Sequence, residues 1–174
     1  MCNKLGGPTF CHNSVRDIFF LLAKSVSHSQ RDYEVEVAPG QRTDLTVTIN
    51  DTKHHADFAI GHPSAVRHTK GKIVPFSAVD DLYKRKQDNY RATMNTLQHD
   101  NIRFHFPIFE AYVGFGPQAV AFTKLLTSFC PTTPPSDSCF VTPTSRAYWT
   151  ARIAVTLARA HANAVNKVID GLSC

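Results

Sequence analysis

An α/β domain, with one mixed sheet sandwiched between helices, is the fold class the sequence predicts. Three observations predict it. An amphipathic helical pattern opens the chain, short alternating segments joined by turn residues follow, and a long uninterrupted charged helix then leads to a strongly apolar strand. Strands joined by tight turns pair antiparallel, whereas a strand reached through a helix joins the sheet by a crossover, so the sheet is mixed.

The elements follow in order. Residues 14–27 place Val15, Ile18, Phe19, Leu22 and Val26 at helical spacing, with Asn13 or Ser14 as cap and Asp17 in the first turn. Residues 33–37, YEVEV, alternate and stop at Pro39-Gly40, as a strand closed by a turn does. TDLTVTIN and KHHADFAI form the next two strands. Residues 61–75 read as a polar, basic loop carrying Arg67, Lys70 and Lys72. Residues 77–99 contain no proline or glycine, and Val79, Leu82, Lys86, Tyr90, Met94 and Leu97 fall on one face of a helix. IRFHFPIFEAYVG, residues 102–114, reads as a fourth strand in which Pro107 marks an edge or a bulge. A helix opening at Pro117 and another over residues 145–170, with Trp149, Ile153 and Leu157 toward the core, complete the chain. The order is helix, three strands, helix, strand and additional C-terminal helices. With no internal repeat, residues 1–174 read as a single domain.

With 174 residues, 43% of them hydrophobic, the chain can bury a substantial core. The 19 Lys and Arg against 14 Asp and Glu give +5, a tilt toward polyanionic partners. Five scattered cysteines form no Cys-x-x-Cys pair, and Cys130 with Cys139 is the one plausible bridge; reduced thiols are expected. No apolar run reaches the roughly 18 residues of a membrane span, so a soluble intracellular protein without a membrane partner is expected.

Asp44 and Asp57 carry the chemistry. If the second and third strands form a hairpin turning at Asp51-Thr52, Asp44 faces Ala59 and Thr46 faces Asp57, which makes the aspartates diagonal neighbours. Both then lie on the face opposite Leu45, Val47 and Ile49. Two carboxylates sharing a half-buried face repel unless a positive charge sits between them, and a hard divalent cation meets that need. The other reading is two solvated aspartates at strand ends. His54 and His55 precede Asp57, but alternation sends them to opposite faces and no Cys or His partner has zinc-site spacing.

Arg42-Thr43-Asp44, twelve intervening residues and Asp57 resemble the signature of the restriction-like endonuclease of site-specific non-long-terminal-repeat retrotransposons, a branch of the PD-(D/E)XK nuclease superfamily. ADFAIGHP, YKRKQDNY, FHFPIFEAYVGFG and the helix opening at Tyr148-Trp149 are similar, in the same order, to later blocks of that family. The resemblance implies a restriction-endonuclease-like core, a four-stranded mixed sheet flanked by helices in the order α-β-β-β-α-β. It implies a nuclease that hydrolyses DNA phosphodiester bonds with Mg2+ or Mn2+ on Asp44 and Asp57. Glu110 would stand beside them as a metal ligand or a holder of backbone amides, and Tyr90 would point its hydroxyl to the site. Thr43 stands where the signature has proline, and Ala59 where the superfamily commonly has its lysine. In the retrotransposon branch the following helix supplies that lysine, which makes Lys86 the first choice and Lys84 the second. Arg42, Arg67, Lys70, Lys72 and Arg85 are the expected phosphate contacts. An RNA substrate and a homodimer stay open, as does a catalytically inactive nuclease scaffold that binds nucleic acid or a protein.

Overall fold

The computed structural model describes residues 7–26, 30–62, 77–97, 100–111, 114–130 and 144–172. The basic-loop residues Arg67, Lys70 and Lys72 and the thiol of Cys139 lie outside them. Among the described residues four helices flank two mixed sheets: α1 Gly7–Lys24, α2 Ser77–Thr96, α3 Pro117–Ser128 and α4 Ser145–Leu172. Strands β1 Gln30–Ala38, β2 Gln41–Ile49, β3 Thr52–Ala56 and β5 Ile102–His105 form one sheet in the order β1-β2-β3-β5. Strands β4 Ala59–Gly61, β6 Ile108–Glu110 and β7 Gly114–Phe115 form the other, in the order β4-β6-β7.

Both turns of the opening meander use left-handed backbone. Gly40, at φ +75°, closes β1 to β2, and Asn50 and Asp51, at φ +47° and +61°, close β2 to β3. Positive φ at both central residues is what a two-residue hairpin needs to match the strand twist. The turn therefore sits one residue earlier than the predicted Asp51-Thr52. Ile49 pairs with Thr52 and Leu45 with Ala56, and that register carried one pair further sets Asp44 across from Asp57. The aspartates are opposed, not diagonal. Their shared face survives the correction because the shift moves each pairing by two residues.

The predicted strands through residues 53–60 and 102–114 are each broken in two. Lys53 pairs with Ile102 and Ala56 with His105 in parallel, then Ala59 pairs with Ile108 and Gly61 with Glu110. The offset is the same before and after the gap, so the two sheets are one strand pair interrupted at residues 57–58 and 106–107. Pro107 is the cause. It has no N–H to donate across the pair, while its carbonyl still accepts from Ala59 N at 3.2 Å and His105 O accepts from Asp57 N at 3.1 Å.

Helix α1 begins at Gly7 rather than at residue 14. Pro8 is tolerated in a first helical turn, so the helix takes in residues 7–14, GPTFCHNS, ahead of Val15. Ser14, expected as a cap, instead lies inside the helix and donates to Phe10 O at 2.9 Å.

Each face of the sheet has its own core. Val15, Ile18, Phe19 and Leu22 of α1, Leu45, Val47 and Ile49 of β2, Phe122 and Leu126 of α3, and Trp149, Ile153 and Leu157 of α4 are buried together. The rings of Phe58, Phe109 and Phe122 lie 4.9, 5.8 and 5.8 Å from that of Phe19. On the other face Val79 and Tyr90 of α2 pack with Phe106 and Ile108. Gly116, which precedes α3, permits this closeness: a Cβ there would stand 2.6 Å from Val79 Cγ1 and 2.8 Å from Ile108 O.

Candidate active site

The break in the strand pair creates the site. Asp57 is the first residue past β3 and lies on the α2 side, so its carboxylate projects where the ladder has opened. Asp44 lies within β2, and its Oδ2 accepts from the Phe58 N–H at 2.7 Å, one step past the last β2–β3 pair, Leu45 with Ala56. A side chain thus continues the β2–β3 contact where the regular ladder ends.

Helix α2 delivers the cation. Val79 and Tyr90 anchor its inner stripe against Phe104, Phe106 and Ile108, and Lys86 lies between them on that stripe. Its Nζ is 2.5 Å from Asp57 Oδ2, with side-chain exposures of 19% and 16% that leave the pair sheltered but reachable. Two residues earlier, Lys84 points to solvent. The stripe is pinned to the start of β2: Gln41 Nε2 donates to Asn89 O at 2.7 Å, Thr93 donates to Gln41 Oε1, and the Tyr90 hydroxyl donates to Arg42 O at 2.5 Å. Burial first, and then the Asp57 carboxylate beside it, push the Tyr90 phenol above its ordinary range.

Asp44 has its pKa pushed up to about 7, first by burial and next by the neighbouring Asp57, against the Phe58 N–H and Lys86 that favour its charge. Burial and the neighbouring Asp57 thus both favour the protonated form of Asp44.

Sequence reasoning missed His12. Its Nε2 lies 3.0 Å from Asp44 Oδ1, from a turn of α1 that was read as lying before the helix. Burial and the Lys86 ammonium lower the imidazole pKa. The available signal was its spacing: His12 precedes Val15 and Phe19 by three and seven residues, on the same helical face.

Other expected residues fall elsewhere. Glu110 is not brought to the aspartates. By register it lies four residues beyond the level of Asp57, about 13 Å along a strand, and its carboxylate packs over Gly114, whose Cβ would meet Oε2 at 3.0 Å. Arg42 and Arg85 have exposed side chains. Thr43, in the signature proline's place, is buried opposite Val35, with its hydroxyl 3.4 Å from Val35 O. His55 faces Thr46, with Nδ1 2.8 Å from its hydroxyl, while His54 turns to the other face and meets His105 at 3.0 Å.

Among the described residues no three His, Cys, Asp or Glu side chains gather as a metal cluster. Two carboxylates sharing one sheltered site nevertheless fit a hard cation that draws its other ligands from water and substrate phosphate. Among the described residues no helix is long and apolar enough to cross a membrane. Compared with known proteins, the chain matches no family model and no curated sequence at a significant level.

Proposed function

We propose that the chain is a metal-dependent endonuclease of restriction-endonuclease-like fold that hydrolyses DNA phosphodiester bonds. The observation that carries this reading is the junction of Asp44, Asp57 and Lys86 at a break in the sheet, with the helix amine 2.5 Å from one of two adjacent carboxylates. The order of helix, antiparallel strands, helix and strand, and the mixed character of the sheets, support the reading. Asp44 and Asp57 would hold Mg2+ or Mn2+. Such an ion, when bound, activates water and neutralises charge on the scissile phosphate. Lys86 would orient the attacking water or stabilise charge developing on the phosphate. Tyr90, donating to Arg42 O, holds the β2 backbone in place beside Asp57. Arg42 and Arg85, with Arg67, Lys70 and Lys72, contact phosphates.

One observation favours a second reading, an inactive scaffold that binds nucleic acid or protein. Both Asp44 oxygens and Asp57 Oδ2 already have protein partners. Nicking of supercoiled DNA separates the two. Active protein cuts with Mn2+ or Mg2+, stops in chelator, and loses cutting in Asp57→Ala while keeping its circular dichroism spectrum. Cutting unchanged in that variant refutes the assignment of the site.

A further inference from the structure

Asp44 is held from two directions. Phe58 N–H meets Oδ2 at 2.7 Å from within the sheet, and His12 meets Oδ1 at 3.0 Å from α1. One hydrogen bond leaves a carboxylate free to swing about its last, broad torsion, whereas bonds to both oxygens fix its plane. We propose that His12 is a positioning residue for Asp44, its Nε2–H holding Oδ1 so that the carboxylate presents one fixed orientation to a divalent cation shared with Asp57. The inference rests on the metal-dependent reading of the site.

The scaffold behind His12 suits this task. Val15, Ile18, Phe19 and Leu22 lock the inner face of α1 into the core. Arg16, one helical turn beyond His12, reaches β1, with Nε 3.0 Å from the Tyr33 hydroxyl and Nη1 2.5 Å from Glu34 Oε1. Its guanidinium also covers the Tyr33 ring at 4.6 Å. Strand β1 is in turn paired to β2 from Gln30 to Ala38. The helix carrying the donor is therefore tied to the neighbour of the strand carrying the acceptor, so His12 cannot drift from Asp44 without breaking contacts on both sides. Lys86 is engaged with Asp57, whereas His12 Nε2 lies on Asp44 Oδ1.

The experiment is an electron paramagnetic resonance titration with Mn2+ of wild type, Asp44→Ala, His12→Phe, His12→Gln and His12→Asn, with metal-free melting recorded for each. Loss of a hydrogen bond that orients a metal ligand weakens binding about 10- to 100-fold. That loss is expected in His12→Phe, which keeps a ring but no N–H, and in His12→Asn, whose amide is too short to reach. His12→Gln, whose amide reaches the position of Nε2, is expected to recover most of the affinity. Equal Mn2+ affinity in wild type and His12→Phe overturns the proposal while leaving the metal site standing. Weakening that His12→Gln does not relieve overturns it too, because ring packing would then be the cause. Should His12→Phe fail to fold, the contrast between Gln and Asn decides. Absence of Mn2+ binding by wild type itself, unchanged in Asp44→Ala, removes the metal reading and this inference with it.

Discussion

Lys86 shows how one side chain can serve stability and chemistry at once. Its ammonium is the partner of Asp57, and removing it leaves two adjacent, largely buried carboxylates without it. Lys86→Ala should therefore cost on the order of 1–3 kcal/mol in urea denaturation, the range for a buried polar group left unpaired. In an active enzyme the same change should slow cleavage at saturating DNA far more than it weakens binding, whereas Lys84→Ala should do neither. The titrating residues set opposing pH trends. Burial holds His55 and His105 down to about 4 in the folded state. Between about 6.5 and 4 the unfolded chain takes up protons that these folded imidazoles refuse, so their contribution is full above 6.5 and is lost as pH falls. Asp44 runs the other way. Its folded pKa of about 7 lies above its ordinary 3.8, so folding becomes less favourable as pH rises through that interval. Urea midpoints from pH 4 to 8 should show Asp44→Asn more stable than wild type at pH 8, with the gain vanishing toward pH 4. Mg2+ or Mn2+ should raise the melting temperature of wild type at pH 8 and leave Asp44→Asn nearly unmoved.

At the scale of elements, the hairpin and the broken strand pair place the site. The β2–β3 turn puts Asn50 and Asp51 in left-handed backbone, where asparagine is at ease and a following glycine is the preferred partner. Asp51→Gly should relieve that strain and stabilise the protein, by up to about 1 kcal/mol, with no change in register. A thermal melt checks it, and destabilisation would mean that the Asp51 side chain makes a compensating contact. The interruption at residues 57–58 escaped sequence reading because apolar alternation passes through it. Pro107 advertised an irregularity, but proline in a strand is compatible with an edge, a bulge or a break. Which of these occurs depended on the partner strand, since the missing N–H matters only where another strand waits to accept it. Helix α1 was cut short for a related reason: before Val15 its apolar side chains are only the adjacent Phe10 and Cys11, too few to show a period, and periodicity detects a helix only where a face is buried.

For the whole molecule, the sheet's two unlike faces organise everything else. One carries the aromatic core that fastens α1, α3 and α4, and Phe19→Ala at its centre should cost about 3–5 kcal/mol in urea denaturation, the range for deleting a buried ring. The other carries the polar site under α2. Phosphate contacts release condensed counterions, so DNA binding by a chain of +5 should weaken steeply between 50 and 200 mM salt. Affinity flat across that range, in a filter-binding titration, would point to a protein partner.

The sequence alone determined what depends on local period. The alternation of β2 and β3 put Asp44 and Asp57 on one face, a parity that survived an error in the turn. The stripe of α2 put Lys86 in line with Val79 and Tyr90, while Lys84, the second choice, is exposed in the structure. Trp149, Ile153 and Leu157 were likewise legible as core. Only the tertiary structure decided that Asp44 and Asp57 stand directly opposed at a gap, that Glu110 lies too far along its strand to join them, and that His12 reaches Asp44. Those are relations between segments far apart in the chain. Period tells a residue which way to face, and packing between elements tells it what it will meet.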